Sequence, residues 1–112
     1  MIVVNRRGEL EAIIEQRIKE QGPNCDLNDI DVSRVTDMSH LFFESSFNGD
    51  ISKWDVSNVT NMSAMFYCCW NFDCDLSNWN VSNMTNMHAL FCECNKFTGK
   101  GLEHWDVSNV TD

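Results

Sequence analysis

The sequence predicts an α+β repeat solenoid, a stack of short parallel strands and short helical turns closed at its N-terminal end by an amphipathic helix. Three observations predict it. A Trp-ended segment recurs as DVSRVTDMSHLFFESSFNGDISKW from Asp31, DVSNVTNMSAMFYCCWNFDCDLSNW from Asp55 and NVSNMTNMHALFCECNKFTGKGLEHW from Asn80, and DVSNVTD opens a further copy at Asp106. These starts lie 24, 25 and 26 residues apart, a period at which repeats stack on one another because each is too short to bury its own apolar residues. Finally, the residues ahead of Gly22-Pro23 carry a helical apolar pattern that the repeats lack.

Taken in order, residues 1–24 form an N-terminal cap. IVVN suggests a short strand, and in RGELEAIIEQRIKEQGPN the residues Leu10, Ile13, Ile14 and Ile18 share one helical face, opposite Glu9, Glu11, Gln16 and Lys19. Gly22 and Pro23 stop the helix. The repeat region, 25–112, opens with a strand near 26–30, where CDLNDID aligns with CDLSNWN and Ile30 stands in the place of Trp79. Units 31–54, 55–79 and 80–105 and the partial unit 106–112 follow.

Within a unit, GDISKW and its counterparts CDLSNW and GLEHW have the short alternating or β-branched character of a strand. TNMSAMFY places Met62, Met65 and Phe66 at i, i+3 and i+4 behind a capping Thr or Asn, which predicts a one- to two-turn helix or 3₁₀ turn. Asp, Asn, Ser and Gly supply the turns between. Stacking the units aligns Val35, Val59 and Met84; Met38, Met62 and Met87; Phe42, Phe66 and Phe91; Phe47, Phe72 and Phe97; and Trp54, Trp79 and Trp105. A Met or Trp stripe could line a cofactor, but strict phase with the repeat reads as core.

Composition narrows function. A hydrophobic content of 43% suffices for a core, and a net charge of −9 opposes binding to phosphate backbones or anionic membrane and favours a basic partner. No apolar run is long enough to span a bilayer. MIVVNRRGEL puts its charges after a short apolar stretch, the reverse of a secretory signal, so the expected location is cytoplasmic, or the cell surface if the chain is part of a longer exported protein.

The six cysteines are accordingly expected as reduced thiols, several of them buried. Cys69 and Cys94 share a phase with Cys68 and Cys92 nearby, but CCW and CEC lack the C-x₂-C spacing of a zinc ribbon, and Cys25 and Cys74 fall two units apart with Gly49 between. His40, His88 and His104 stand beside no nucleophile in a predictable geometry. DCD at 73–75 with Asp50 has neither calcium-loop spacing, so solvated turn acids are expected. The sequons, such as NVT at 58–60, follow from the repeat, where Asn, Ser and Thr can bond the turn backbone. No catalytic residue, metal ligand or cofactor site is expected.

FNGDISKWDVSNVTNMSAMFY, with its counterparts over residues 25–112, resembles the BspA-like leucine-rich-repeat family, whose mycoplasma-lipoprotein-type repeat of about 25 residues also defines a domain of unknown function. The resemblance implies an atypical leucine-rich-repeat solenoid, a fold used on bacterial surface proteins for adhesion or protein binding.

The expected function is therefore a non-enzymatic protein–protein interaction module. Its partner-binding strand face would comprise Asp50, Ser52, Lys53, Asp75, Ser77, Asn78, Glu103 and His104. The alternative is a small acidic intracellular inhibitor, of immunity or anti-defence type, that blocks a basic surface. DVSNVTD stops before the turn that would cover Trp105 and Val107, so Trp105, Val107 and Val110 are expected to form an association edge, most simply for a homodimer.

Overall fold

The computed structural model describes all of residues 1–112. The elements are β1 (Ile2–Val3), α1 (Arg7–Gln21), β2 (Ile30–Asp31) and a 3₁₀ helix, η1 (Leu102–His104). β1 pairs in parallel with β2, Ile2 opposite Ile30 and Val3 opposite Asp31.

α1 starts after an extended Arg6 whose guanidinium reaches Glu9 at 3.1 Å, and it ends at Gly22, where φ is 89° and the amide donates to the Ile18 carbonyl. Pro23 then bars a further turn. Leu10 and Ile14 are fully buried, with Ile13 and Ile18 packed at the margin. Burial of Leu10 and Ile14 contributes roughly 2 kcal/mol each. Val4, Leu10 and Ile14 belong to the same hydrophobic core as the repeats.

Residues one repeat apart lie side by side. Parallel bridges join Asp26 to Asp50, Asp37 to Asn61 and Asn61 to Asn86. Phe42, Phe66 and Phe91 stack with centroids 5.5 Å apart at each step and planes 3° from parallel, and Phe47, Phe72 and Phe97 form a second column touching the first. The Trp indoles bind the preceding unit: Trp54 donates to Leu27 O at 2.9 Å, Trp79 to Ile51 O at 3.0 Å and Trp105 to Leu76 O at 3.1 Å. No buried side-chain polar atom lacks a partner.

The DVSNVT signature has a bond for each polar letter. Asp31, Asp55, Asn80 and Asp106 each accept the amide of the Ser two residues on, at 3.0 to 3.1 Å. The Asn side chains reach the neighbouring unit, Asn58 to Ser33 O, Asn83 to Ser57 O and Asn109 to Ser82 O. Thr60, Thr85 and Thr111 donate to the Thr carbonyl one unit back.

Two local expectations change. The segments near 26–30, 49–54, 74–79 and 101–105 are not strands beyond single bridges and β2; they run as turns, and the last holds η1. The cause lies in Asp50 and Asp75, which accept the amides of Ser52 and Ser77 and so turn the chain, after a single bridge at Asp50 and with none at Asp75.

Nor does 60–67 hold a helix. Ala64 and Cys68 are left-handed, as are His40 and Glu44 in the unit before and Ala89 and Glu93 in the unit after. Alternate amides therefore point sideways: Met38, His40, Phe42 and Glu44 donate to Asn61, Ser63, Met65 and Tyr67, and Met62, Ala64, Phe66 and Cys68 donate to Asn86, His88, Leu90 and Cys92.

Left-handed non-glycine residues cost about 1–2 kcal/mol each, comparable to the net return of the lateral bonds at about 0.5–1.5 each. Burial of Met62, Met65 and Phe66 decides the balance, and an isolated helix this short would not nucleate in its place.

These lateral amides all face the C-terminal end of the stack, and the carbonyls that receive them face the N-terminal end. The Ser39 carbonyl, with no unit before it, accepts from the Arg7 side chain. Two glycines sit where units touch: a Cβ at Gly49 would lie 1.8 Å from the Cys25 oxygen, and one at Gly101 would lie 2.2 Å from the Ser77 nitrogen.

Candidate interaction surfaces

The repeat sets Asp50 and Asp75 at equivalent turn tips, and the structure brings them into one shallow depression with Asn24, Asn48, Gly49, Ser52 and Cys74. Lys53 and Asn78 line an adjoining one that shares Ser52. Ser77 is half-buried beneath Gly101, and Glu103 and His104 extend the row on η1, exposed and 3.5 Å from each other. The expected strand face is thus a row of turn tips.

The carboxylates of Asp50 and Asp75 are held ionised. The Ser52 hydroxyl and amide bind Asp50 at 2.6 and 2.9 Å and depress its pKa, and the Ser77 amide at 2.9 Å does the same for Asp75. Asp73 accepts the Thr98 amide and hydroxyl and pairs with Lys100 at 3.4 Å, which lowers it as well. Such carboxylates are acceptors for a basic or donor-rich surface and are poor proton donors at neutral pH.

The thiols that pack into the chain are poor nucleophiles. Cys69 is buried with its Sγ on the Phe47 carbonyl at 3.4 Å, and burial pushes its pKa up to about 12. Burial also raises Cys25, Cys74 and Cys94. No group of three or more His, Cys, Asp or Glu is arranged to hold a metal ion. His88 faces Asp112 and His104 faces Glu103, each at 3.5 Å, and His40 lies against Phe43.

At the C-terminal edge Trp105 is half-buried, stacked on Trp79 at 6.3 Å; Val107 is 44% exposed, and Val110 packs at the margin of the core. Residues 106–112 continue the stack, since Thr111 donates to Thr85 O and Met87 donates to Asp112 O. The amides of Ala89, Phe91 and Glu93 donate to nothing in the chain.

One surface was missed in the sequence. Phe43 and Tyr67 stack on the outside, beside Glu44 and Cys68. Their shared phase was a usable signal, but an aromatic pair next to core phenylalanines reads as more core.

The family model described as Mycoplasma protein of unknown function, DUF285, matches residues 12–112. The chain belongs to the DUF285 family. No curated protein and no solved structure matches it. The DUF285 match takes in most of α1 and every repeat, in keeping with one core shared by both. No helix of this DUF285 chain is long and apolar enough to cross a membrane.

Proposed function

We propose that this DUF285 chain is a non-enzymatic protein–protein interaction module, built as an atypical leucine-rich-repeat solenoid of the BspA-like kind. The observation that supports it is a division of labour among repeat positions. Core columns keep their chemistry from unit to unit, Phe over Phe and Trp over Trp. At the turn tips it changes, from Lys53 to Asn78 to His104 and from Ser52 to Ser77 to Glu103, on side chains that the stack does not need buried. Rigid scaffolds with variable tips recognise partners, and the depressed Asp50 and Asp75 carboxylates supply fixed negative charge.

The test is affinity capture from the host with three baits: the native chain, Asp50→Lys with Asp75→Lys, and Glu15→Lys on the outer side of α1. Partners retained by Glu15→Lys and lost by the double variant support the module reading, and equal capture by all three overturns it. The −9 charge favours a second reading, an inhibitor covering a basic surface of its partner. On that reading capture falls steeply between about 50 and 300 mM salt, whereas the module reading alone requires no such slope.

A further inference from the structure

Phe43 and Tyr67 occupy one position of successive units and stack with centroids 5.0 Å apart and planes at 11°. The neighbouring Phe42 and Phe66 are fully buried, but Phe43 is 39% exposed and Tyr67 half-buried. They face outward because the next residues, Glu44 and Cys68, are left-handed and turn the chain at this corner. The Glu44 backbone is tied to that of Tyr67 by its amide, which donates to the Tyr67 carbonyl at 2.7 Å. Cys68 bonds Cys92 in the same way, so Glu44, Cys68 and Glu93 run alongside Phe43, Tyr67 and Cys92.

Neither Glu44 nor Glu93 takes part in any of the chain's ion pairs, which engage Glu9, Glu11, Asp29, Asp73, Glu103 and Asp112 instead. Both carboxylates are near enough to the Tyr67 phenol to help raise its pKa, after Cys68, Cys92 and slight desolvation. The corner therefore offers the exposed rim of a stacked ring pair, with His40 5.3 Å from Phe43, beside two carboxylates that form no ion pair.

We propose that this corner receives an arginine side chain of a protein partner, its guanidinium against the exposed rim of the Phe43–Tyr67 stack and its N–H groups turned to Glu44 and Glu93. A purely apolar partner would strip water from two unpaired carboxylates with no compensation. A phosphate-bearing ligand meets the wrong charge. A lysine ammonium is attracted too, but it is compact and strongly hydrated, whereas guanidinium is planar, weakly hydrated and able to stack and hydrogen-bond at once. The inference rests on the module reading and names the chemistry of one contact within it.

The test titrates the full chain, isotope-labelled, with hexa-arginine and with hexa-lysine of equal charge, following amide and side-chain resonances. Hexa-arginine is expected to shift Phe43, Glu44, Tyr67 and Cys68 and to bind about five-fold or more tightly than hexa-lysine. Phe43→Ala, at an exposed ring, is expected to abolish that preference with the spectrum otherwise folded, and Glu44→Gln to weaken both peptides. Equal binding of the two peptides, shifts confined to Asp50 and Asp75, or indifference to Phe43→Ala overturns the proposal. So does self-association that Phe43→Ala dissolves and hexa-arginine does not compete with. If host partners depend on Asp50 and Asp75 while the arginine preference is missing, this inference falls and the module reading stands. An arginine preference with equal capture by all three baits gives the converse.

Discussion

A Cβ at Gly49 would overlap the Cys25 carbonyl, which is backbone and cannot swing aside. Gly49→Ala is therefore expected to destabilise the fold by about 3 kcal/mol, read by urea or thermal unfolding. Ala89 poses the opposite case, since its φ of 56° strains any residue with a Cβ. Ala89→Gly is expected to be neutral or to stabilise by up to about 1 kcal/mol, whereas at a helical position the same change would cost about 1 kcal/mol. The sign of that shift in Tm checks the left-handed turn directly. At this scale the Trp and Phe columns were legible, because phase alone identifies side chains that must meet. The indole bonds to Leu27, Ile51 and Leu76 were not, because they depend on how far one unit sits from the next.

Among the elements, α1 was the most legible, with its apolar stripe and its Gly-Pro stop. It is held by more than that stripe: Arg17 grips Asp29 through both terminal guanidinium nitrogens at 2.9 and 3.1 Å, and Arg7 reaches Ser39. Ile14→Ala is expected to cost about 2–4 kcal/mol and to loosen β1 with it, seen as faster amide exchange at Ile2 and Val4, which donate to Asp29 and Asp31. The repeat elements were less legible. Met62, Met65, Phe66 and Cys69 are spaced i, i+3, i+4 and i+7, and alternating turns bury that set as well as a helix would. Only the sign of φ at Ala64 and Cys68 separates the two, and neither residue type announces it. The same blindness hid the corner at Phe43 and Tyr67, whereas Asp50, Ser52 and Asp75 were found together because the repeat phase carries them there.

For the whole molecule, stability should plateau across neutral pH. Asp31, Asp50, Asp73, Asp75 and Asp106 have depressed folded pKa values, chiefly from Ser and Thr donors, so their contribution is present above the ordinary value of 3.8 and is lost as pH falls through the folded values. Cys69 acts at the other end. Its pKa rises from 9.0 unfolded to about 12 folded, so its contribution is complete below pH 9 and disappears as pH climbs toward 12. A Tm profile should be flat from about pH 5 to 8 and fall on both sides, and Cys69→Ala should flatten the alkaline limb while lowering the plateau. A maleimide should label exposed Cys92 in the folded chain and Cys69 only as it unfolds.

Along the rows 38–44 and 62–68 the lateral amides run one way and give that face of the stack an arrow, while at Thr60, Thr85 and Thr111 the amides run back to the preceding unit. Like studded bricks, these rows join stud to socket: on the socket side the Ser39 carbonyl is plugged by Arg7, while Ala89, Phe91 and Glu93 leave studs showing. Two copies brought tail to tail would set these amides against each other at this row, and leave Trp105 and Val107 to carry the contact there. A segment that offers carbonyls in the sense of Asn86, His88, Leu90 and Cys92 would meet those three amides.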